Sequence, residues 1–189
     1  MQITQEKIEA LVSGLNDTAK RNRERKGYKG ELAPCAIVVG PQSEHSVLPL
    51  PWRNDDEKRT MMLALSATAR QMNVAAIAII SNTRFVDGNK FADYFHIGRI
   101  EDIGLEAFKK EYQSITVGVY GGSIANLPRA VWQEAVIVAC KGPLIQSTIR
   151  TNIYDEGPND TIHWIKEDTE PEGLQMLMLP DWWDKTPTM

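Results

Sequence analysis

Val74-Ala75-Ala76-Ile77-Ala78-Ile79-Ile80 is the longest uninterrupted apolar run in the chain, and its reading decides the fold. Seven residues are far short of the roughly 20 needed to cross a bilayer. Both alternate faces of the run are apolar, which predicts a central strand covered from two sides.

Upstream, residues 55–72 read as a helix. Asn54 is its N-cap, Glu57 follows three residues later, and Met61, Met62, Leu65, Ala69 and Met72 recur along one buried side. Before it come two short strands, 33–39 and 46–50, joined by Gly40-Pro41-Gln42-Ser43-Glu44. Pro49 and Pro51 cannot donate to a sheet ladder, so the second strand is expected to be short or at an edge. The chain opens with a further helix in which Ile8, Leu11, Val12 and Leu15 follow helical spacing. Thr4 caps it, and Ile3 faces Ile8 as a hydrophobic staple.

Downstream, residues 81–101 show no periodicity and read as a long loop with Phe85, Phe91, Tyr94 and Phe95 among its charges. A third helix is expected over 102–113 and a strand over 115–120. A long antiparallel pair follows, 131–140 with 144–154, joined at Lys141-Gly142-Pro143, and a last strand covers 161–166. The predicted fold class is α+β: a mixed, mostly antiparallel sheet of five to seven strands with two to three helices packed mainly on one face. Residues 1–172 form this single domain. Residues 173–189 form an apolar and acidic C-terminal tail containing Trp182 and Trp183.

A chain of 189 residues, 42% hydrophobic and 24% charged, can build its own core without a metal or disulfide staple. The start Met1-Gln2-Ile3-Thr4-Gln5-Glu6 lacks the basic and apolar pattern of a secretory signal, so the expected location is the cytoplasm. Cys35 and Cys140 are expected to be reduced and buried. The net charge of −4 excludes a broadly basic nucleic-acid binder but hides an asymmetry. Residues 20–29 are strongly basic and residues from Asp155 onward strongly acidic, so the two ends attract each other within a subunit or between subunits.

Recognisable catalytic motifs are missing. His45, His96 and His163 are too far apart in sequence for a zinc motif, and neither a metal nor a cofactor is expected. Gly118-Val119-Tyr120-Gly121-Gly122-Ser123 lacks the lysine of a phosphate loop and reads as a glycine turn ending a strand. Ser123 is the one candidate nucleophile, and Asp87 with Asp93 the one candidate carboxylate pair.

The layout from Glu57-Lys58-Arg59 through Ile77-Ala78-Ile79-Ile80, Gln133-Glu134-Ala135-Val136-Ile137-Val138 and Ile149-Arg150 resembles a recurring type of small uncharacterised bacterial and phage protein, over roughly the middle two thirds of the chain. The resemblance implies an order of elements and transfers no catalytic residue. The tryptophan expected soon after the central strand is missing here, with Phe85 or Tyr94 in its space.

The expected function is that of a non-enzymatic interaction or regulatory protein that self-associates or binds a protein partner. Its expected contact residues are Phe85, Tyr94, Phe95, Trp182 and Trp183. One alternative is a small-molecule hydrolase or transferase with a ligand site at Arg84, Asp87, His96 and Arg99. The other is a nucleic-acid binder using Arg21, Arg23, Arg25 and Lys26, which the acidic remainder opposes.

Overall fold

The computed structural model describes residues 2–25, 33–158, 161–169 and 179–183. Helix α1 (Gln5–Glu24) starts where expected, with the Thr4 side chain accepting from the Lys7 amide at 3.4 Å. Its buried stripe runs Ile8, Val12, Asn16, Ala19 and Arg23, longer and more polar than the apolar spacing alone suggested. Strands β1 (Cys35–Val39) and β2 (His45–Pro49) form the expected hairpin. Helix α2 (Asp55–Gln71) begins at Asn54, which accepts from the Glu57 amide at 2.8 Å while the Glu57 carboxylate accepts from Arg53 N at 2.7 Å. Met62, Leu65 and Ala69 are buried along it, whereas Met72 is exposed.

Residues 76–80 of the apolar run open β3 (Ala76–Val86), which starts two residues later than the predicted strand and continues six residues beyond it. Ser81, Asn82, Thr83 and Arg84 are too polar to read as a buried strand. They are held by β4 (Trp132–Gly142) in an unbroken antiparallel register from Ile77 opposite Lys141 to Val86 opposite Trp132. The expected loop over 81–101 is therefore corrected: it holds the end of β3, helix α3 (Gly88–Phe95) and the start of helix α4 (Ile100–Ile103).

Helix α5 (Leu105–Tyr120) also corrects the reading, since residues 115–120 are helix and not strand. The alternation Ile115, Val117, Val119 mimics a strand, but Phe108, Tyr112, Ile115 and Thr116 share a helical face that packs inward. Gly121 (φ 66°) and Gly122 (φ 82°) end the helix, with Gly122 N donating to Thr116 O at 2.9 Å. The glycine pair is a helix cap rather than a turn after a strand. Two 3-10 turns, Ile124–Asn126 and Arg129–Val131, lead into β4, and β5 (Gln146–Gly157) and β6 (Thr161–Thr169) complete a six-stranded sheet in the order β2-β1-β3-β4-β5-β6. Every pairing is antiparallel.

The chain is thus α+β, with five α-helices among the described residues rather than two or three. The one-faced arrangement of helices is also corrected. Helix α1 packs on Ile37, Val39, Ala76, Ala78, Val136, Val138 and Cys140. Helix α2 packs on Ala36, Ile77, Ile79, Ile137 and Ala139, which point the other way. Helices α3 and α5 bury a third cluster at Phe91, Phe108, Val131 and Trp132. Leu179 and Trp182 join the α2 layer.

Both cysteines are free, Cys140 buried and Cys35 half-buried. Burial pushes the Cys140 thiol from 9.0 up to about 12, and burial, with Glu134 beside it, pushes the Tyr154 phenol from 10.0 up to about 12. The unfolded chain releases both protons near the ordinary values, so above pH 9 it binds fewer protons than the folded chain. The stability from these groups is whole below that point and falls as pH rises towards 12, by about 1.4 kcal/mol per pH unit for each group still protonated only in the fold. A series of urea midpoints from neutral to alkaline pH is expected to decline from about pH 9. A flat profile to pH 11 would contradict the burial of Cys140 and Tyr154.

Candidate interaction surface

The basic end of α1 is largely turned inward. Arg23 is 6% exposed; its Nε donates to the Tyr154 hydroxyl at 2.8 Å and its guanidinium pairs with Glu156. Glu134 lies 3.9 Å from the same guanidinium and accepts from the Tyr154 hydroxyl at 3.0 Å. One turn earlier, Lys20 pairs with Glu167 and lies over the Trp164 ring, and Trp164 Nε1 donates to Glu24 at 2.6 Å. The attraction expected between the basic and acidic segments is thus realised within the subunit, between α1 and strands β5 and β6. Arg21 and Arg25 are exposed, and Lys26 lies outside the described residues, as do Tyr28 and Lys29. Arg23, the most central of the four candidate phosphate contacts, is committed to the fold.

Arg84, Glu134, Tyr154 and Trp164 stand opposite one another in successive strands. Beside this row, the guanidiniums of Arg84 and Arg129 lie 4.8 and 4.2 Å from the Trp132 ring centre. Trp132 Nε1 donates to Leu127 O at 3.1 Å, and Arg129 reaches Asp155 at 3.8 Å. Trp132 is thus flanked by two guanidiniums, and its indole hydrogen bond and the Arg129–Asp155 pair tie the turns before β4 to the sheet.

The four expected ligand residues are not brought together by these roles. Asp87 caps α3, accepting from Asn89 N at 3.0 Å and Lys90 N at 3.1 Å. His96 ends the same helix at φ 54°, about 13 Å further along its axis, and is exposed. Arg99 grips Asp93 through both carboxylate oxygens at 2.9 to 3.1 Å, and that hydrogen bond raises its pKa further. Asp93 is thereby engaged with Arg99, and Asp87 with the helix end. Ser123 is exposed at the 3-10 turn after α5. Among the described residues no three His, Cys, Asp or Glu side chains cluster as a metal site.

Four of the five expected contact aromatics lie wholly or partly in the chain's own core. Trp182 is 4% exposed and donates from Nε1 to Val74 O at 3.0 Å; Trp183 packs edge-on to it at 4.8 Å. Phe85 is half-buried against the α2 layer, and Phe95 sits among Phe91 and Tyr120. Tyr94 remains 49% exposed. Of the tail 173–189, residues 173–178 and 184–189 lie outside the described residues.

The two sheet edges differ in a way the sequence reading did not use. Strand β6 is irregular, with register shifts against β5, and carries Lys166, Glu167 and Asp168, which are devices that discourage strand addition. Strand β2 is His-Ser-Val-Leu-Pro, without a carboxylate, lysine or arginine, and every residue in it is exposed. Val47 is 62% and Leu48 40% exposed. The signal lay in the absence of charge beside an edge-marking proline. The chain matches no protein-family model, no curated protein and no solved structure.

Proposed function

We propose that this chain is a non-enzymatic interaction protein whose contact surface is the outer edge of β2, engaged by a protein partner or by a further copy of itself. The observation that carries this reading is the exposure of Val47 and Leu48 on an uncharged edge strand, while the opposite edge is bulged and charged. The contact moves away from the tail tryptophans because Trp182 is part of the α2 layer.

Light-scattering mass across a wide concentration range tests the reading, comparing the natural chain with Val47→Lys. The natural chain is expected to gain mass with concentration and the variant to stay monomeric. Because Val47 is exposed, the variant's melting behaviour should match the natural chain within about 0.5 kcal/mol. A natural chain that is monomeric throughout removes the self-association branch.

A further inference from the structure

We propose that β2 pairs antiparallel with β2 of a second copy, about a two-fold axis passing beside Val47. The inference rests on the reading of β2 as the contact edge and fixes both the partner and the register.

The backbone decides which residues face outward. Leu50 N donates to Pro34 O and Gly40 N donates to Glu44 O, each at 2.8 Å. Residues 34 and 50, and 40 and 44, are therefore hydrogen-bonded pairs of the hairpin, and alternation along the ladder makes 36 with 48 and 38 with 46 the intervening ones. His45, Val47 and Pro49 turn their remaining backbone groups away from β1. Pro49 thus occupies a position whose missing N–H costs the hairpin nothing.

The outward set 45, 47, 49 is symmetric about Val47. In an antiparallel pair of two such strands, each Val47 donates to and accepts from the other Val47, and each His45 N–H meets a Pro49 carbonyl that needs only to accept. About four backbone hydrogen bonds result, and neither proline is asked to donate. Val47 shares a face with Ile37 and the α1 layer, Leu48 with Ala36 and the α2 layer. The pairing therefore places Val47 against Val47 on one face and brings the Leu48 side chains diagonally together on the other, covering both exposed apolar residues. A five-residue contact falls below the roughly 1,200 Å² of a stable interface, so the dimer is weak and concentration-dependent.

Disulfide capture on the full chain tests the register. Directly opposed Val47 residues have Cα atoms about 5.5 Å apart, within disulfide reach. Under mild oxidation Val47→Cys is expected to form a covalent dimer about tenfold or more faster than Leu48→Cys or the natural chain, whose Cys35 and Cys140 give the background rate. Equal rates at 47 and 48 overturn the register. If Val47→Lys abolishes a concentration-dependent mass gain while Val47→Cys shows no preference, the register falls and the edge reading stands. A monomer at every concentration, with no capture at 47, overturns the pairing itself.

Discussion

Trp182→Ala is expected to destabilise the chain by about 3–5 kcal/mol, the usual cost of truncating a buried tryptophan. In a chain of this size that corresponds to a melting temperature lower by roughly 6–20 °C. The side chain is 4% exposed, sits in the cluster of Met62, Leu65, Ile77 and Ile79, and its indole N–H satisfies the carbonyl that precedes the central strand. Its segment is also held from several directions. Arg70 Nε donates to Trp182 O at 3.0 Å, and Lys141 Nζ donates to Leu179 O at 2.6 Å and meets Asp181 at 2.7 Å. Removing the indole leaves both a cavity and an unsatisfied carbonyl. Trp183→Ala, at the half-buried edge of the pair, should cost distinctly less. Thermal melts and light-scattering mass on the same samples separate two roles for the tail. A large fall in stability at unchanged mass means that residues 179–183 complete the core; a loss of mass at unchanged stability would return Trp182 to the role of partner contact.

The elements that were legible in the sequence are those whose ends carry their own chemistry. Thr4 and Asn54 marked two helix starts correctly, and Pro49 marked the edge strand, because caps and prolines act through local backbone geometry. What escaped was set by tertiary partners. Ser81 to Arg84 belong to β3 because β4 offers a register, and nothing in four polar residues announces it. Val117 and Val119 sit in a helix despite their β-branched side chains because Phe108 and Thr116 on the same helix are buried. The two-sided apolarity of residues 74–80 already called for cover on both faces, so the placement of α1 and α2 on one face conflicted with the central strand itself.

The candidate site was illegible for a related reason. Aromatics and charged residues drew attention to 81–101 and to the tail, yet the fold uses most of those side chains as packing, capping and ion-pairing groups. The contact surface we propose lies instead on residues with little chemistry of their own. In that proposal Val47 and Leu48 act through exposure and through backbone groups that every strand possesses, and the position of β2 at the sheet edge makes those groups available.

Arg23→Ala is expected to cost about 2–4 kcal/mol, because truncating one member of a buried ion pair leaves its partners uncompensated. Glu134 would keep its hydrogen bond from Tyr154 but lose the nearby guanidinium, and Tyr154 would lose the 2.8 Å contact that helps fix its ring beneath α1. The value falls below that of a fully buried pair because Glu156 is half exposed and water recovers part of its charge. Arg21→Ala and Arg25→Ala, at exposed positions, should each stay within about 0.5 kcal/mol. Urea denaturation of the three variants checks the ranking, and a double-mutant cycle with Glu156→Gln isolates the ion pair. The same set bears on nucleic acid. Any salt-dependent binding through this run should be lost in Arg21→Ala/Arg25→Ala, which keeps its stability, whereas a loss confined to Arg23→Ala would report unfolding. Equal stability of all three single variants would contradict the burial of Arg23 against β5, and with it the account of why α1 is more polar on its inner face than a core helix needs to be.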